Sequence, residues 1–292
     1  MQSNLNFSLL IADSKIFCTL TLVRNFSVPS LLTKVELESV VKNTFSTYKT
    51  EGVSMKDIEW ASLLYTLVTD FDEVYAKTMI DIDERFRPFN VKELNSVKSI
   101  GETIIYFLHS WHTQGVPNFS KNELTDKIKE LADELELVNK STMHSVTSEK
   151  IKLLYDGIVS VTGFGPTATA KTLHLLCPNV CVMWDKGIRE WYEEKMKFQG
   201  IKFHTHAEQY ASFLRDMSQF VKTKFNSRAI DELNTILKSL TSDRPFYPKT
   251  EAKLVDEFNW LTMIKKVKIP LQAYKVSSPT LYLSLIPLQF YT

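Results

Sequence analysis

Between Thr33 and Lys265 apolar residues recur at helical spacing, and helix-start signals stand ahead of several of these runs. Ser54-Met55-Lys56-Asp57 precedes Ile58, Leu63, Leu64 and Leu67. Ser120-Lys121-Asn122-Glu123 precedes Leu124, Ile128, Leu131 and Leu135, and Thr205-His206-Ala207-Glu208 precedes Tyr210, Phe213, Leu214 and Met217. Each is a capping box, an N-cap hydroxyl followed three residues later by an acid. The same periodicity predicts helices over 34–47, 91–112, 149–161, 166–176, 186–198, 228–240 and 251–264. Breaks fall at 85–90, at 114–119 with Gly115 and Pro117, and at 241–249 with Pro245 and Pro248. The pattern predicts a mainly α protein with a helical bundle-like body over 33–265.

The two ends read differently. Residues 1–32 form a short segment, irregular or β-like, in which Phe17, Thr19, Thr21 and Val23 alternate as in a strand pair. From Met1 to Ser30 the only charges are Asp13, Lys15 and Arg24, and from Ile269 to Thr292 the only one is Lys275. Charges interrupt the first stretch, and Pro270, Pro279 and Pro287 break the second, so neither reads as a membrane span. The tail over 266–292 is expected to be irregular, and these weakly charged ends offer a protein partner a surface.

Composition narrows the function classes. The chain has 292 residues, 44% hydrophobic and 24% charged, a balance that argues for a folded globular body. Thirty-five Lys and Arg against thirty-four Asp and Glu leave a formal charge of +1, so a nucleic-acid contact would have to be local. Cys18, Cys177 and Cys181 cannot pair without a remainder, and no secretory pattern opens the chain, which together point to the cytoplasm.

The stretch carrying most chemistry is Val161-Thr162-Gly163-Phe164-Gly165-Pro166-Thr167-Ala168-Thr169-Ala170, holding two of the eight glycines. Ile151, Leu154, Tyr155, Ile158 and Val159 mark one helical face before it. Gly163 ends that helix, Phe164 can plug the space between helices, and Gly165 lets backbone approach a phosphate without a Cβ in the way. Pro166 suits a first helical turn. Such a turn aims amides and a helix N-terminus at an anion. An ordinary helix joint with a glycine cap would show the same pairing of glycines.

This stretch resembles the helix-hairpin-helix of the DNA glycosylase superfamily, over roughly 149–191. The resemblance implies a hairpin backbone that holds a phosphate beside the lesion, often with a monovalent cation on its carbonyls, and a target base turned out of the stack. It also implies an aspartate after the hairpin that supports chemistry at the sugar, and the family offset lands on Asp185 in Val182-Met183-Trp184-Asp185-Lys186-Gly187-Ile188-Arg189. In bifunctional members a lysine two residues past the second glycine is the Schiff-base nucleophile; Thr167 stands there, so that lyase is not expected. Trp184 is bulkier than the residue usual before the aspartate, and the four-cysteine cluster of some members is absent.

The expected anchors on DNA are Gly163, Phe164, Gly165 and Thr167, with Lys171, Lys186 and Arg189 available to phosphates and Trp184 to an extruded base. Competing readings attach to several of them. Asp185 is placed to N-cap the helix carrying Ile188, Trp191 and Tyr192, and Glu190, Glu193 and Glu194 follow the basic residues as on a solvated face. Trp60, Trp111, Trp191 and Trp260 fit core positions. His109 and His112, His204 and His206, and Cys177 and Cys181 lack the partners or spacing of a metal site, and no metal is predicted. Three functions remain open: a monofunctional base-excising enzyme using Asp185, a non-catalytic DNA-holding module of a repair or defence assembly, and a helical interaction protein.

Overall fold

The computed structural model describes residues 6–12, 15–21, 53–88, 100–113 and 118–265. The first two stretches are antiparallel strands, β1 (Asn6–Ala12) and β2 (Lys15–Thr21), in register from Asn6 opposite Thr21 to Ala12 opposite Lys15. The helices belong to a separate compact unit, Lys49–Ile269. The helix predicted over 34–47 and the tail over 266–292 lie outside the described residues.

The helical unit is built from α1 (Met55–Val68), α2 (Phe71–Phe86), α3 (Ile100–Ser110), α4 (Lys121–Glu130), α5 (Ala132–Asn139), α6 (Ser148–Val159), α7 (Pro166–Leu176), α8 (Lys186–Phe198), α9 (His206–Lys224), α10 (Ser227–Leu240) and α11 (Glu251–Asn259). A π-helical turn, Trp260–Ile264, continues α11. Side-chain caps start many of these helices. Ser120, Thr147, Thr205, Asn226 and Thr250 each accept a backbone amide of the first turn, satisfying a donor that the helix itself cannot. At Ser54 the Asp57 carboxylate takes the backbone amide at 2.6 Å and the hydroxyl at 2.7 Å.

Two elements differ from the sequence prediction. The helix begun at Ser120 breaks at Leu131, whose side chain packs where a Cβ on Gly157 would stand 2.6 Å from its Cδ1, so the chain bends to fit against α6. Helix α2 has no counterpart among the sequence-predicted elements, although Tyr75, Met79, Ile82 and Phe86 form its buried stripe. Its charged outer face, with Glu73 paired to Lys77 and Asp81 to Arg85, dilutes that stripe.

Helix α7 sits at the centre of the unit, packed by α2, α3 and α6, and every residue from Ala168 to Leu176 is buried. Only its first turn is open. A helix buried on all sides shows no amphipathic stripe, and the polar residues Thr169, Lys171, Thr172 and His174 are carried into the core with it.

Candidate nucleic-acid interface

The turn between α6 and α7 has the local chemistry its residues dictate. Gly163 has φ 85°, in the left-handed region, and a Cβ there would meet Phe119 Cδ1 at 3.0 Å and the Asn118 carbonyl oxygen at 3.2 Å. Phe164 is buried against Phe119, ring centroids 4.6 Å apart, and its amide donates to the Val161 carbonyl at 3.0 Å. Gly165 is the N-cap of α7, with open space where a Cβ would be. Thr167 follows Pro166 in the first turn and its hydroxyl accepts from Arg189 at 3.4 Å.

A tie to α4 holds this turn. The Glu123 carboxylate, expected to return to its own cap at Ser120, instead accepts the Thr162 amide at 3.0 Å. That bond fixes the turn and also occupies one of its donors with a negative charge. The open amides of the site are therefore at the Gly165 end, where the first helical turn has no carbonyl partners of its own.

Asp185 occupies the N-cap of α8, yet its side chain makes no capping hydrogen bond. Its Oδ1 lies 3.2 Å from Lys171 Nζ, and the two side chains are 27% and 6% exposed. The Lys171 ammonium is confined from behind by the Trp111 ring, 5.3 Å from its centroid. Lys171 is therefore not a surface cation reaching for phosphate; it is a buried counter-ion of Asp185.

Trp184 likewise departs from the expected base pocket. It is completely buried, stacked on Phe213 at 5.6 Å and tilted against Tyr210 at 5.3 Å. Its indole N–H has no hydrogen-bond partner. Arg189 lies over the Trp184 ring at 5.9 Å and reaches Thr167, so it bridges the start of α8 to the start of α7. Lys186 is exposed and pairs with Glu190 at 3.7 Å, as on a solvated helix face. Gly163, Phe164, Gly165, Thr167 and Arg189 are thus gathered around the start of α7, Asp185 is tied to Lys171 in the middle of that helix, and Trp184 is buried with Arg189 over its ring.

The sequence reading missed the charged network behind Lys171. Lys253, fully buried, lies 5.0 Å from the centroid of the same Trp111 ring and 4.5 Å from that of Tyr65, and pairs with Asp256 and Glu257, each at 3.2 Å. Glu257 also pairs with Lys249 at 2.7 Å, and Lys249 reaches Asp72 at 2.6 Å. Burial pushes Asp256 and Glu257 above the usual carboxylate range. Burial acts upward on Asp72 too, but the Lys249 and Lys253 charges bring it below its ordinary value. The one sequence signal was the Lys253, Asp256, Glu257 spacing, which on an exposed helix is an ordinary ion-pair pattern. A cleft lined by Thr66, Asp72, Arg244, Tyr247 and Lys249 opens at the Lys249 end of the network.

His174 provides a second buried polar link. Its Nδ1 donates to the Cys181 carbonyl at 2.6 Å and its Nε2 accepts from the Tyr75 hydroxyl at 3.0 Å, which is the arrangement of a neutral ring. Burial lowers its pKa to about 3. Among the described residues, no three His, Cys, Asp or Glu side chains are grouped to hold a metal ion, and no helix is long and apolar enough to cross a membrane. Comparison with protein-family models, curated proteins and solved structures finds no match to this chain.

Proposed function

We propose that this protein binds DNA through the 160–167 turn as a glycosylase-type helix-hairpin-helix, and that it excises a base with Asp185 as the residue facing the sugar. The observation that carries the reading is at Asp185: a carboxylate at a helix start, partly open to solvent, withheld from capping and tied by Lys171 to the helix that begins at Gly165. The open amides at Gly165 and Thr167 would hold a phosphate, favoured by the N-terminal dipole of α7, and the carbonyls of the turn would hold a monovalent cation. Arg189, fixed across Thr167, adds positive charge beside them.

The chemistry follows from those groups. With Thr167 in place of a lysine, water is the nucleophile: the glycosidic bond breaks with its electron pair leaving on the base, which takes up a proton from solvent, the Asp185 carboxylate stabilises the positive charge on the sugar, and water adds there and gives a proton back to solvent. Lys171, buried behind Asp185, is left outside the phosphate contacts.

Fluorescence anisotropy with a labelled duplex at low and moderate salt tests the binding half; affinity should fall steeply with salt. Excision from duplexes carrying a panel of damaged bases tests the other half, and Asp185→Asn should lower turnover about 100-fold while binding persists. An Asp185→Asn protein with full excision would sink the enzyme reading. The complete burial of Trp184 favours a second reading, a non-catalytic DNA-holding module, since the anticipated stacking surface is absent. Salt-sensitive binding with no excision across the panel would select it.

A further inference from the structure

We propose that Lys171 is the positioning residue of the Asp185 site, its ammonium holding the carboxylate off the amides of α8 and so keeping it available to a ligand. The proposal deepens the function proposed above and, in its catalytic arm, rests on it.

Capping is the default occupation of an aspartate at an N-cap, because its carboxylate satisfies a first-turn amide and is favoured by the dipole. Ser120, Thr147, Thr205, Asn226 and Thr250 all do this from extended backbone; Asp70, the N-cap of α2, does not, and its backbone is not extended, with φ −92° and ψ 3°. Asp185 has extended backbone, φ −68° and ψ 160°, close to that of Thr250 at φ −83° and ψ 167°, which does cap. Backbone conformation is therefore not what keeps Asp185 from capping. The differing circumstance is the Lys171 ammonium 3.2 Å away.

Lys171 itself needs a reason to be where it is. Its neighbours Ala168, Ala170 and Leu173 to Leu176 make α7 a core helix, and a methionine or leucine at 171 would suit that packing without burying a charge. The Trp111 ring centroid lies 5.3 Å from this ammonium and 5.0 Å from that of Lys253, so like charge opposes a shift of Lys171 toward Lys253. A cation at the inner side leaves the outer side of the Asp185 carboxylate for what approaches from solvent. Lys171 also stands four residues after Thr167, one helical turn further along the face that begins at the open turn. Nζ of Lys171 touches no phosphate in this arrangement; its action is through Asp185.

The test separates positioning from general support. In Lys171→Met the freed carboxylate should swing to the amides of Gly187 and Ile188, read as shifts of those two amide resonances in a ¹H–¹⁵N spectrum. Lys171→Met combined with Asp185→Ala, whose side chain has no acceptor, should lack that carboxylate-dependent shift. On duplex DNA, Lys171→Met should keep its affinity within about threefold while turnover falls about 100-fold, Lys171→Arg should recover most of the loss, and the double variant should be no slower than Asp185→Ala. Unmoved Gly187 and Ile188 resonances, or turnover retained in Lys171→Met, would overturn the proposal. If the wild-type protein excises nothing, the function fails but the resonance experiment still decides the role of Lys171. Should Lys171→Met not fold, Lys171→Gln, which keeps a donor and removes the charge, takes its place with the same expected shifts.

Discussion

The carboxylate of Asp185 stands 3.2 Å from Nζ of Lys171, and this contact joins the start of α8 to the middle of the buried helix α7. An exposed ion pair contributes about 0–1 kcal/mol, but here the lysine is inside the core. Asp185→Asn should therefore destabilise the protein by about 1–3 kcal/mol in urea unfolding, because the buried ammonium loses its ion-pair partner and keeps only the weaker influence of Asp256. Adding Lys171→Met should return most of that loss, because it removes the unpaired charge.

The two glycines of the turn should respond in opposite ways. Gly163→Ala places a Cβ on left-handed backbone and against Phe119 and Asn118, so thermal unfolding should show a loss of about 1–2 kcal/mol. Gly165→Ala meets open space on extended backbone and should leave the melting temperature nearly unchanged. A methyl group in the open space beside the Gly165 amide, where a phosphate would approach, should nonetheless weaken DNA binding, and anisotropy at fixed salt reads that difference directly. Equal loss of binding and stability in Gly165→Ala would refute a separate binding role for the turn.

His174 makes stability depend on pH. Its folded pKa, lowered to about 3 by burial, lies below the unfolded value near 6.5, so the folded state keeps the ring neutral while the unfolded chain protonates it. Its contribution is complete above about pH 6.5 and is lost as pH falls toward 3, with a limiting slope of about 1.4 kcal/mol per pH unit. Chemical denaturation between pH 7 and pH 5 should show this decline. His174→Gln, which can keep one of the two bonds to Cys181 and Tyr75, should be less stable at pH 7 and should show a slope smaller by up to one proton.

The buried network should be most sensitive at Lys253. Lys253→Met leaves Asp256 without its ion-pair partner and with only the weaker influence of Lys171, leaves Glu257 with Lys249 alone, and removes the cation that lies over the Tyr65, Tyr75 and Trp111 rings. A loss of about 3–5 kcal/mol is expected, the range for breaking a buried ion pair from one side. Replacing Lys253, Asp256 and Glu257 together by apolar residues of similar size should cost much less, which equilibrium unfolding of the two variants checks.

Much of the helical body was legible because local rules and the fold agree. Pro166 to Leu176 and Lys186 to Phe198 are bounded by Pro at a first turn, glycine before it and an aspartate ahead of a periodic run, and those signals act through nearest neighbours. Helix α2 was hidden because its buried stripe is narrow and its outer face heavily charged, so the periodicity alone did not stand out. At the break Leu131 packs on Gly157, a contact made across to another helix and invisible to any window along the chain.

The site shows the same division. The residues around 163–167 and Asp185 were identifiable from spacing, since a turn that needs left-handed backbone and a helix that needs a start leave marks in the sequence. How the basic and aromatic neighbours are placed around them was decided only by tertiary structure. Lys171, Lys186 and Arg189 are equal cations in sequence; packing buries the first against Asp185, leaves the second in solvent and lays the third across Thr167. Trp184 is set by the same cause, because α9 brings Tyr210 and Phe213 onto its ring. Sequence by itself determined the helices, their start signals and the turn, which are local; burial, and with it the pairing of charge, depends on residues far apart in the chain, and so the fold alone determined it.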